Sequence, residues 1–158
     1  MRSTLTLLTV LLFGCQTAPA VKKDLNTGGA PGLLLSLERT PCFGACPVYT
    51  VEVRTDGTTA FKGARHVKVT EPVEVKLEPA TMQKLSALFE ASEFARWADF
   101  TRTPVTDMPS VVLTYQGHTV RHYLGDDKAP AALTALEDEV DAIIGTARWV
   151  KGTGAETK

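Results

Sequence analysis

An α+β fold is predicted, in which an antiparallel sheet of about six strands carries two helices on one face. Several segments alternate apolar and polar residues, which is typical of strands with one buried face. Two further segments repeat apolar residues at helical spacing. The order of the elements is ββββ-α-ββ-α, and strands grouped in this way favour an antiparallel sheet over a parallel one.

The first strand begins at Leu33, and the third covers residues 58–62. The second strand covers residues 49–53, and an Asp-Gly pair ending at Gly57 turns the chain into the third. A two-residue turn would place Phe61 on the polar face of the sheet. A three-residue turn pairs Phe61 with Val51 on the apolar face, so we expect this longer turn, with Gly57 in a left-handed conformation.

A fourth strand, or a bent pair of strands interrupted at Pro72, is expected over residues 67–77. Pro79 then begins a helix whose apolar residues recur at helical spacing to about residue 91. In the polar stretch that follows, Trp97 and Phe100 are expected to anchor the chain to the core.

A hairpin is expected around Gln116-Gly117. A two-residue turn at this point places Leu113 opposite Val120 and Val111 opposite His122, so that these four side chains share one face of the sheet.

The last helix begins at Pro130, and its apolar stripe is Leu133, Leu136, Val140, Ile143 and Ala147. Its acidic residues, which we expect to form a solvated face, are Glu137, Asp138, Glu139 and Asp141. Asp126-Asp127, just before this helix, is interpreted as a charge pair that favours the helix dipole.

Residues 1–14 have the organisation of an export signal, with Arg2 followed by an apolar run over residues 5–13. That run is far shorter than the ~20 residues of a transmembrane helix. Leu12-Phe13-Gly14-Cys15 resembles a lipobox, at which a bacterial lipoprotein is cut and lipidated. We therefore expect Cys15 to carry a diacylglyceryl thioether and an N-acyl chain, and two or more chains anchor a protein stably.

The expected domain organisation follows from this motif. A lipoprotein signal peptide covers 1–14, the lipidated N-terminus and a flexible tether cover 15–32, a single globular domain covers 33–150, and a disordered tail covers 151–158. Gln16, in place of Asp after the lipidated cysteine, is consistent with an outer-membrane location facing the periplasm.

Charge argues against a nucleic-acid partner. The chain has 17 basic and 18 acidic side chains, and no lysine or arginine run occurs in it. Membrane attachment is therefore expected through lipid alone. No nucleophile elbow and no phosphate-binding loop is present, so we predict neither catalytic residues nor a cofactor.

Cys42 and Cys46 lie in the one unusual loop of the sequence. The chain has three cysteines, and because Cys15 is expected to carry the lipid, Cys42 and Cys46 are the two that remain. In an oxidising envelope two remaining cysteines favour a disulfide. Two alternatives stay open. One is thiol–disulfide exchange, although C-x-x-x-C between strands differs from C-x-x-C at the start of a helix. The other is copper(I) binding by both cysteines and His122, because the loop superficially resembles the copper site of Sco-type chaperones.

The histidines taken separately suggest no site. His122 lies on an apolar face, where a hydrogen-bonded core histidine is the simpler interpretation. His118 flanks a turn and is expected to be solvated, and His66 is expected to lie in a strand.

The loop and its surroundings resemble a bacterial domain-of-unknown-function family, family 6438. The matching residues are Arg39, Thr40, Cys42, Gly44, Cys46, Pro47, Tyr49, Asp56, Gly57, Gly63, Thr106, Asp107 and Pro109. The resemblance covers most of residues 33–148. It implies a domain often found in exported or lipid-anchored proteins, and it supplies no activity and no catalytic residue.

The function expected from these observations is a non-catalytic, lipid-anchored binding module. Its partner would be an envelope protein or another envelope component, and Cys42 and Cys46 would form a structural disulfide. The alternative is a metal or thiol-redox accessory protein that uses the same two cysteines.

Overall fold

The computed structural model describes residues 31–102 and 107–151. The strands are β1 (Leu33–Arg39), β2 (Val48–Arg54), β3 (Thr58–Arg65), β4 (Val73–Lys76), β5 (Ser110–Tyr115) and β6 (His118–Tyr123). The helices are α1 (Pro79–Glu90), α2 (Ala131–Ile144) and the short α3 (Ala147–Val150), with a 3-10 turn at Phe94–Arg96. The expected signal peptide, Cys15, nearly all of the tether and the expected tail after residue 151 lie outside the described residues. Within the described ranges, no helix is long and apolar enough to cross a membrane.

The six strands form one antiparallel sheet in the order β4-β3-β2-β1-β5-β6, which confirms the predicted α+β class. The core lies between one face of this sheet and the helices. Its sheet residues are Leu35, Leu37, Tyr49, Val51, Val53, Phe61, Val111, Leu113 and Val120, and its helix residues are Leu85, Phe89, Leu133, Leu136, Val140, Ile144 and Trp149.

Both predicted hairpin registers are confirmed. Val51 pairs with Phe61, and Gly57 has a φ of 85°, a left-handed value that favours glycine. In the second hairpin Leu113 pairs with Val120, and Val111 pairs with His122. The apolar pattern therefore determined the length of both turns, because a shift of one residue would have exposed the buried set.

The prediction for residues 67–77 was wrong in part. β3 ends at Arg65, and His66 leaves the strand with a φ of 53°, so it does not lie in a strand as expected. The amide of Val69 donates 3.0 Å to the carbonyl oxygen of Trp149 instead of pairing with a strand. A Cβ at Gly63 would overlap the carbonyl oxygen of Val69, so this close crossing requires glycine.

The final helix is shorter than its apolar stripe predicted. Gly145 has a φ of 77° and terminates α2, which is the left-handed cap that glycine favours. Because the helix stops there, Ala147 does not continue the buried stripe and is exposed. Within α2 the buried face ends on Ile144, while Ile143 is only partly buried. Trp149 in α3 covers the sheet instead, with its ring centroid 4.9 Å from that of Phe61.

The segment after the 3-10 turn is held against β6. Trp97 and Phe100 pack against the core, as expected. The amide of Phe100 donates 2.8 Å to the carbonyl oxygen of Arg121.

Asp126 has a different role from the one expected. Its carboxylate accepts hydrogen bonds from the amides of Arg102 and Lys128, at 2.8 and 2.9 Å, and α2 begins only at Ala131. It therefore joins two loops and does not cap the helix.

Candidate functional site

A disulfide joins Cys42 to Cys46, with 5.8 Å between their Cα atoms. It closes a five-residue ring between the end of β1 and the start of β2, the place at which the sequence predicted it. Residues 40–47 are called the disulfide loop below. Thr40 fixes the base of this loop, because its amide donates 2.9 Å to the carbonyl oxygen of Ser110 while its hydroxyl accepts 2.7 Å from the Ser110 amide.

Phe43, inside the ring, is 91% exposed. Its backbone is nevertheless held in place, because its amide donates 3.1 Å to the carbonyl oxygen of Asp107. Among the described residues only Leu33 and Met108 are other large apolar side chains with substantial exposure, and each is about half as exposed as Phe43. The disulfide loop therefore presents an aromatic side chain to solvent from a constrained backbone.

Beside the disulfide loop lies a cluster of five polar side chains, Arg39, Tyr49, Asp138, Asp141 and Thr146, here called the Arg39 cluster. Asp141 is its centre. The Nε and Nη2 atoms of Arg39 lie 2.8 and 2.7 Å from Oδ2 of Asp141. The hydroxyl of Tyr49 donates 2.7 Å to the same oxygen, and that of Thr146 donates 2.6 Å to Oδ1.

The strands place Arg39 and Tyr49 side by side. Arg39 pairs with Tyr49 across the β1–β2 ladder, and Arg39 shares the core face of β1 with Leu35 and Leu37. The disulfide closes the connection between them, and Asp141 reaches the pair from the last turn of α2. Nη2 of Arg39 also lies 3.0 Å from Oδ1 of Asp138, which is largely exposed.

The electrostatics of this cluster keep Arg39 charged and Tyr49 protonated. Burial would lower the pKa of Arg39, but the charge and hydrogen bond of Asp141, together with the contact to Tyr49, outweigh it and the net shift is upward. Burial raises the pKa of Tyr49, and the charge of Asp141 raises it further. The Tyr49 hydroxyl thus stays a hydrogen-bond donor to Asp141.

A cleft of about 380 Å³ opens over the Arg39 cluster. All five members of the cluster and Lys151 line it, together with four apolar residues, Pro47, Ala142, Ala147 and Val150. The Arg39 side chain keeps 20% of its surface exposed. The cleft is therefore an apolar-walled surface feature with a compensated ion pair inside it.

A second polar contact, between His122 and Glu137, is sealed in the core. The two residues are 3% and 1% exposed, and Nδ1 of His122 lies 2.9 and 3.1 Å from the two carboxylate oxygens of Glu137. Burial raises the pKa of Glu137 to about 8 and lowers the pKa of His122. Both shifts favour the uncharged forms, a protonated Glu137 and a neutral His122.

These positions correct the expected solvated face of α2. Asp138 and Glu139 are exposed, but Glu137 is buried against His122 and Asp141 is bound in the Arg39 cluster. His118 is also not solvated as expected. It is half-buried, with Nε2 3.0 Å from the carbonyl oxygen of Trp97 and its ring edge-to-face with Phe94.

The structure does not bring the alternative copper ligands into a common site. Cys42 and Cys46 are bonded to each other, and His122 directs Nδ1 to Glu137. Across residues 31–102 and 107–151, no three His, Cys, Asp or Glu side chains are arranged to hold a metal ion.

Sequence reasoning missed the Arg39 cluster, although two signals for it were present. Arg39 continues the alternation of Leu35 and Leu37, which directs its side chain to the core. Asp141 lies one helical turn after Glu137 and next to Val140, on the margin of the buried stripe. When the pattern places a charged residue at a buried position, it indicates that the residue forms an ion pair with a residue of another strand or helix.

No curated protein matches this chain. The model of DUF6438, described as a domain of unknown function, matches residues 33–144. That range begins at the first residue of β1 and ends at the last residue of α2, so it includes the disulfide loop, the His122–Glu137 pair and most of the Arg39 cluster. The chain therefore belongs to the DUF6438 family of domains of unknown function.

Proposed function

We propose that this protein is a lipid-anchored, non-catalytic binding module of the bacterial cell envelope, and that it contacts its partner through the disulfide loop. The observation that carries the proposal is Phe43, which is 91% exposed on a loop closed by a disulfide. At this exposure nearly all of the apolar surface of Phe43 is available for burial by a partner. A pre-ordered aromatic residue is, however, typical of the residues that dominate binding energy at protein interfaces.

The position of the loop supports this assignment. The chain enters the domain at Leu33, where the carbonyl oxygen of Gly32 accepts 2.9 Å from the amide of Thr55. The disulfide loop follows the opposite end of the seven-residue β1, about 20 Å away at the usual rise per residue. With a lipid on Cys15, the end that bears Phe43 is the one remote from the attachment, where an envelope partner has access to it.

The disulfide has a structural role in this proposal. A ring of five residues removes little conformational entropy, so its contribution to the free energy of unfolding is about 2 kcal/mol. Its larger effect is local, because it fixes the backbone on either side of Phe43 and so lowers the entropic cost of binding.

The state of the polar groups also favours binding over catalysis. Every buried side-chain nitrogen or oxygen atom in the described residues has a hydrogen-bond partner. The cluster most open to solvent is built around an ion pair, and its central carboxylate already accepts from Arg39, Tyr49 and Thr146. These groups are engaged in holding β1 and β2 against α2.

Lipid anchoring is tested by Cys15→Ser in the full chain. We expect the wild type to sediment with membranes and the variant to appear in the soluble envelope fraction, because the acyl chains supply the attachment. Phe43→Ala, which keeps Cys15, should stay with the membranes. A Cys15→Ser protein that is retained like the wild type would refute the anchor.

The contact surface is tested by photo-crosslinking in cells. Replacing Phe43 by p-benzoylphenylalanine should give a discrete crosslinked adduct, and the same replacement at Leu33, at the opposite end of β1, is the matched control. The absence of any adduct at residue 43, or an equal yield of the same adduct at both positions, would exclude the disulfide loop as the contact surface.

The alternative function, a thiol-redox or copper accessory protein, is favoured by one observation. Residues 43–45, between the two cysteines, are all exposed, so a reductant can reach the disulfide. Thiol counting on protein isolated from the envelope without reductant separates the proposals. If Cys42 and Cys46 are bonded to each other, the structural role is supported. Two free thiols, or stoichiometric bound copper, would favour the thiol-redox or copper accessory protein instead.

A further inference from the structure

We infer that Phe43 binds in the cleft over the Arg39 cluster of a second copy of this chain, so that two copies form a symmetric dimer. Each copy then supplies one aromatic side chain and one cleft. This inference rests on the proposed contact surface and identifies its partner.

The cleft has the size and lining that a phenyl ring requires. Its volume is about 380 Å³, whereas an apolar cavity of about 150 Å³ already accommodates benzene. Pro47, Ala142, Ala147 and Val150 give it apolar walls, and Arg39 adds a partly exposed guanidinium group. A guanidinium next to an aromatic face is an attractive contact.

The positions of Phe43 and the cleft suit a two-fold axis. Pro47, which lines the cleft, directly follows Cys46, so the ring that carries Phe43 and the cleft share one end of the molecule. Phe43 does not occupy the cleft of its own chain, because it is 91% exposed. When a protruding side chain and a receptor for it lie on one surface, a two-fold rotation satisfies both copies at once.

Charge does not oppose the association of two identical surfaces here. Inside the cleft the charges of Arg39 and Asp141 compensate each other. Asp138 and Lys151, which also line the cleft, carry opposite charges. In a two-fold arrangement the acidic group of one copy can approach the basic group of the other, which favours association.

The area involved predicts a weak dimer in dilute solution. A buried phenylalanine covers about 150–250 Å². Two such rings and the walls they cover amount to about 600–1,000 Å², which is less than the ~1,200–2,000 Å² of stable interfaces. Confinement to a membrane by the lipid anchor raises the effective concentration and favours the dimer there.

The test uses the full chain in cells, with p-benzoylphenylalanine at position 43. We expect an adduct of twice the protein mass whose crosslink maps to the segment 142–150. Ala142→Trp, at an exposed position of α2, fills the cleft. It should lower the yield of this adduct more than about tenfold, as expected when an anchoring aromatic side chain loses its pocket.

A mixing experiment separates a blocked cleft from a misfolded variant. One tagged copy carries the crosslinker at position 43 and Ala142→Trp, and a second copy with another tag carries Phe43→Ala and an intact cleft. In this mixture the crosslinker at position 43 of the first copy can still enter the intact cleft of the second copy. An adduct that carries both tags should therefore reappear. Ala147→Trp, at an exposed position on the same cleft, is the second blocking variant.

Each outcome distinguishes this inference from the proposed function. A self-adduct that persists with Ala142→Trp and Ala147→Trp, or that maps outside 142–150, overturns the cleft as the receptor. An adduct only with a different envelope protein overturns the dimer but supports the binding surface. No adduct of either kind contradicts both proposals.

Discussion

Two polar clusters connect the sheet to α2, and they differ in their access to water. The His122–Glu137 pair is enclosed by the core, whereas the Arg39 cluster lies under an open cleft. The enclosed pair uses one residue from the sheet and one from α2, whereas the Arg39 cluster uses Arg39 and Tyr49 from the sheet and Asp138 and Asp141 from α2. Access to water therefore separates a polar contact that favours uncharged groups from one that keeps its ion pair.

In the enclosed pair, burial dominates the ionisation. It raises the pKa of Glu137 to about 8 and lowers the pKa of His122, so neither group favours its charged form. In the Arg39 cluster, burial alone would lower the pKa of Arg39, but the contact with Asp141 raises it. The enclosed pair fixes the helix on the sheet with little charge, and the open cluster keeps a full ion pair at the surface of a cleft.

The largest expected effect comes from breaking the open cluster at its centre. Asp141→Ala removes the carboxylate that accepts from Arg39 and from the hydroxyls of Tyr49 and Thr146, and leaves Arg39 only the exposed Asp138 as an ion-pair partner. Loss of one partner of a largely buried ion pair costs about 3 kcal/mol in the free energy of unfolding, measured by chemical denaturation. Asp138→Asn, at the exposed edge of the same cluster, should change it by less than about 1 kcal/mol. Equal losses in the two variants would contradict the central role of Asp141.

The next effect concerns the disulfide, and it should separate the two clusters. Arg39 and Tyr49 lie just outside the two ends of the disulfide loop, whereas His122 lies on β6. Cys42→Ser combined with Cys46→Ser should lower the free energy of unfolding by about 2 kcal/mol. Amide hydrogen exchange should accelerate most near residues 39–49, through local opening, and around His122 by no more than the loss of global stability produces. Uniform acceleration across both regions would show that the loop does not act locally.

The sheet registers were predictable because one face is buried. The apolar alternation of β2 and β3 permits only the turn that pairs Val51 with Phe61, and the structure has that pairing. The end of α2 was less predictable, since the apolar stripe continues in the sequence beyond Gly145. There the left-handed conformation of a glycine outweighs the periodicity.

The polar contacts were the hardest part to predict. A run of acidic residues on a helix is usually solvated, so the pattern predicts an exposed face for Glu137 and Asp141. Whether such a residue is buried depends on a partner far away in the sequence, and the pattern does not identify that partner. The apolar face around His122 predicts a hydrogen-bonded core histidine, and the structure has it in the core with Glu137 as its partner.

The smallest expected effect, the pH dependence of stability, addresses the enclosed pair. The pKa of Glu137 rises from an ordinary value of 4.5 to about 8 on folding, so its contribution is complete below about pH 4.5 and is lost as the pH rises through about 8. The pKa of His122 falls below 6.5 on folding, so its contribution is present above pH 6.5 and is lost at lower pH. Between about pH 6.5 and 8 the Glu137 contribution dominates, and the free energy of unfolding should fall by about 1 kcal/mol. Denaturation across this range should show no fall for Glu137→Gln, whose amide does not titrate, and only the small rise with pH that His122 contributes. Glu139→Gln, at an exposed position of the same helix, should keep the wild-type slope. If Glu137→Gln keeps the wild-type slope, the fall in stability does not come from Glu137, and Glu137 is not protonated at neutral pH.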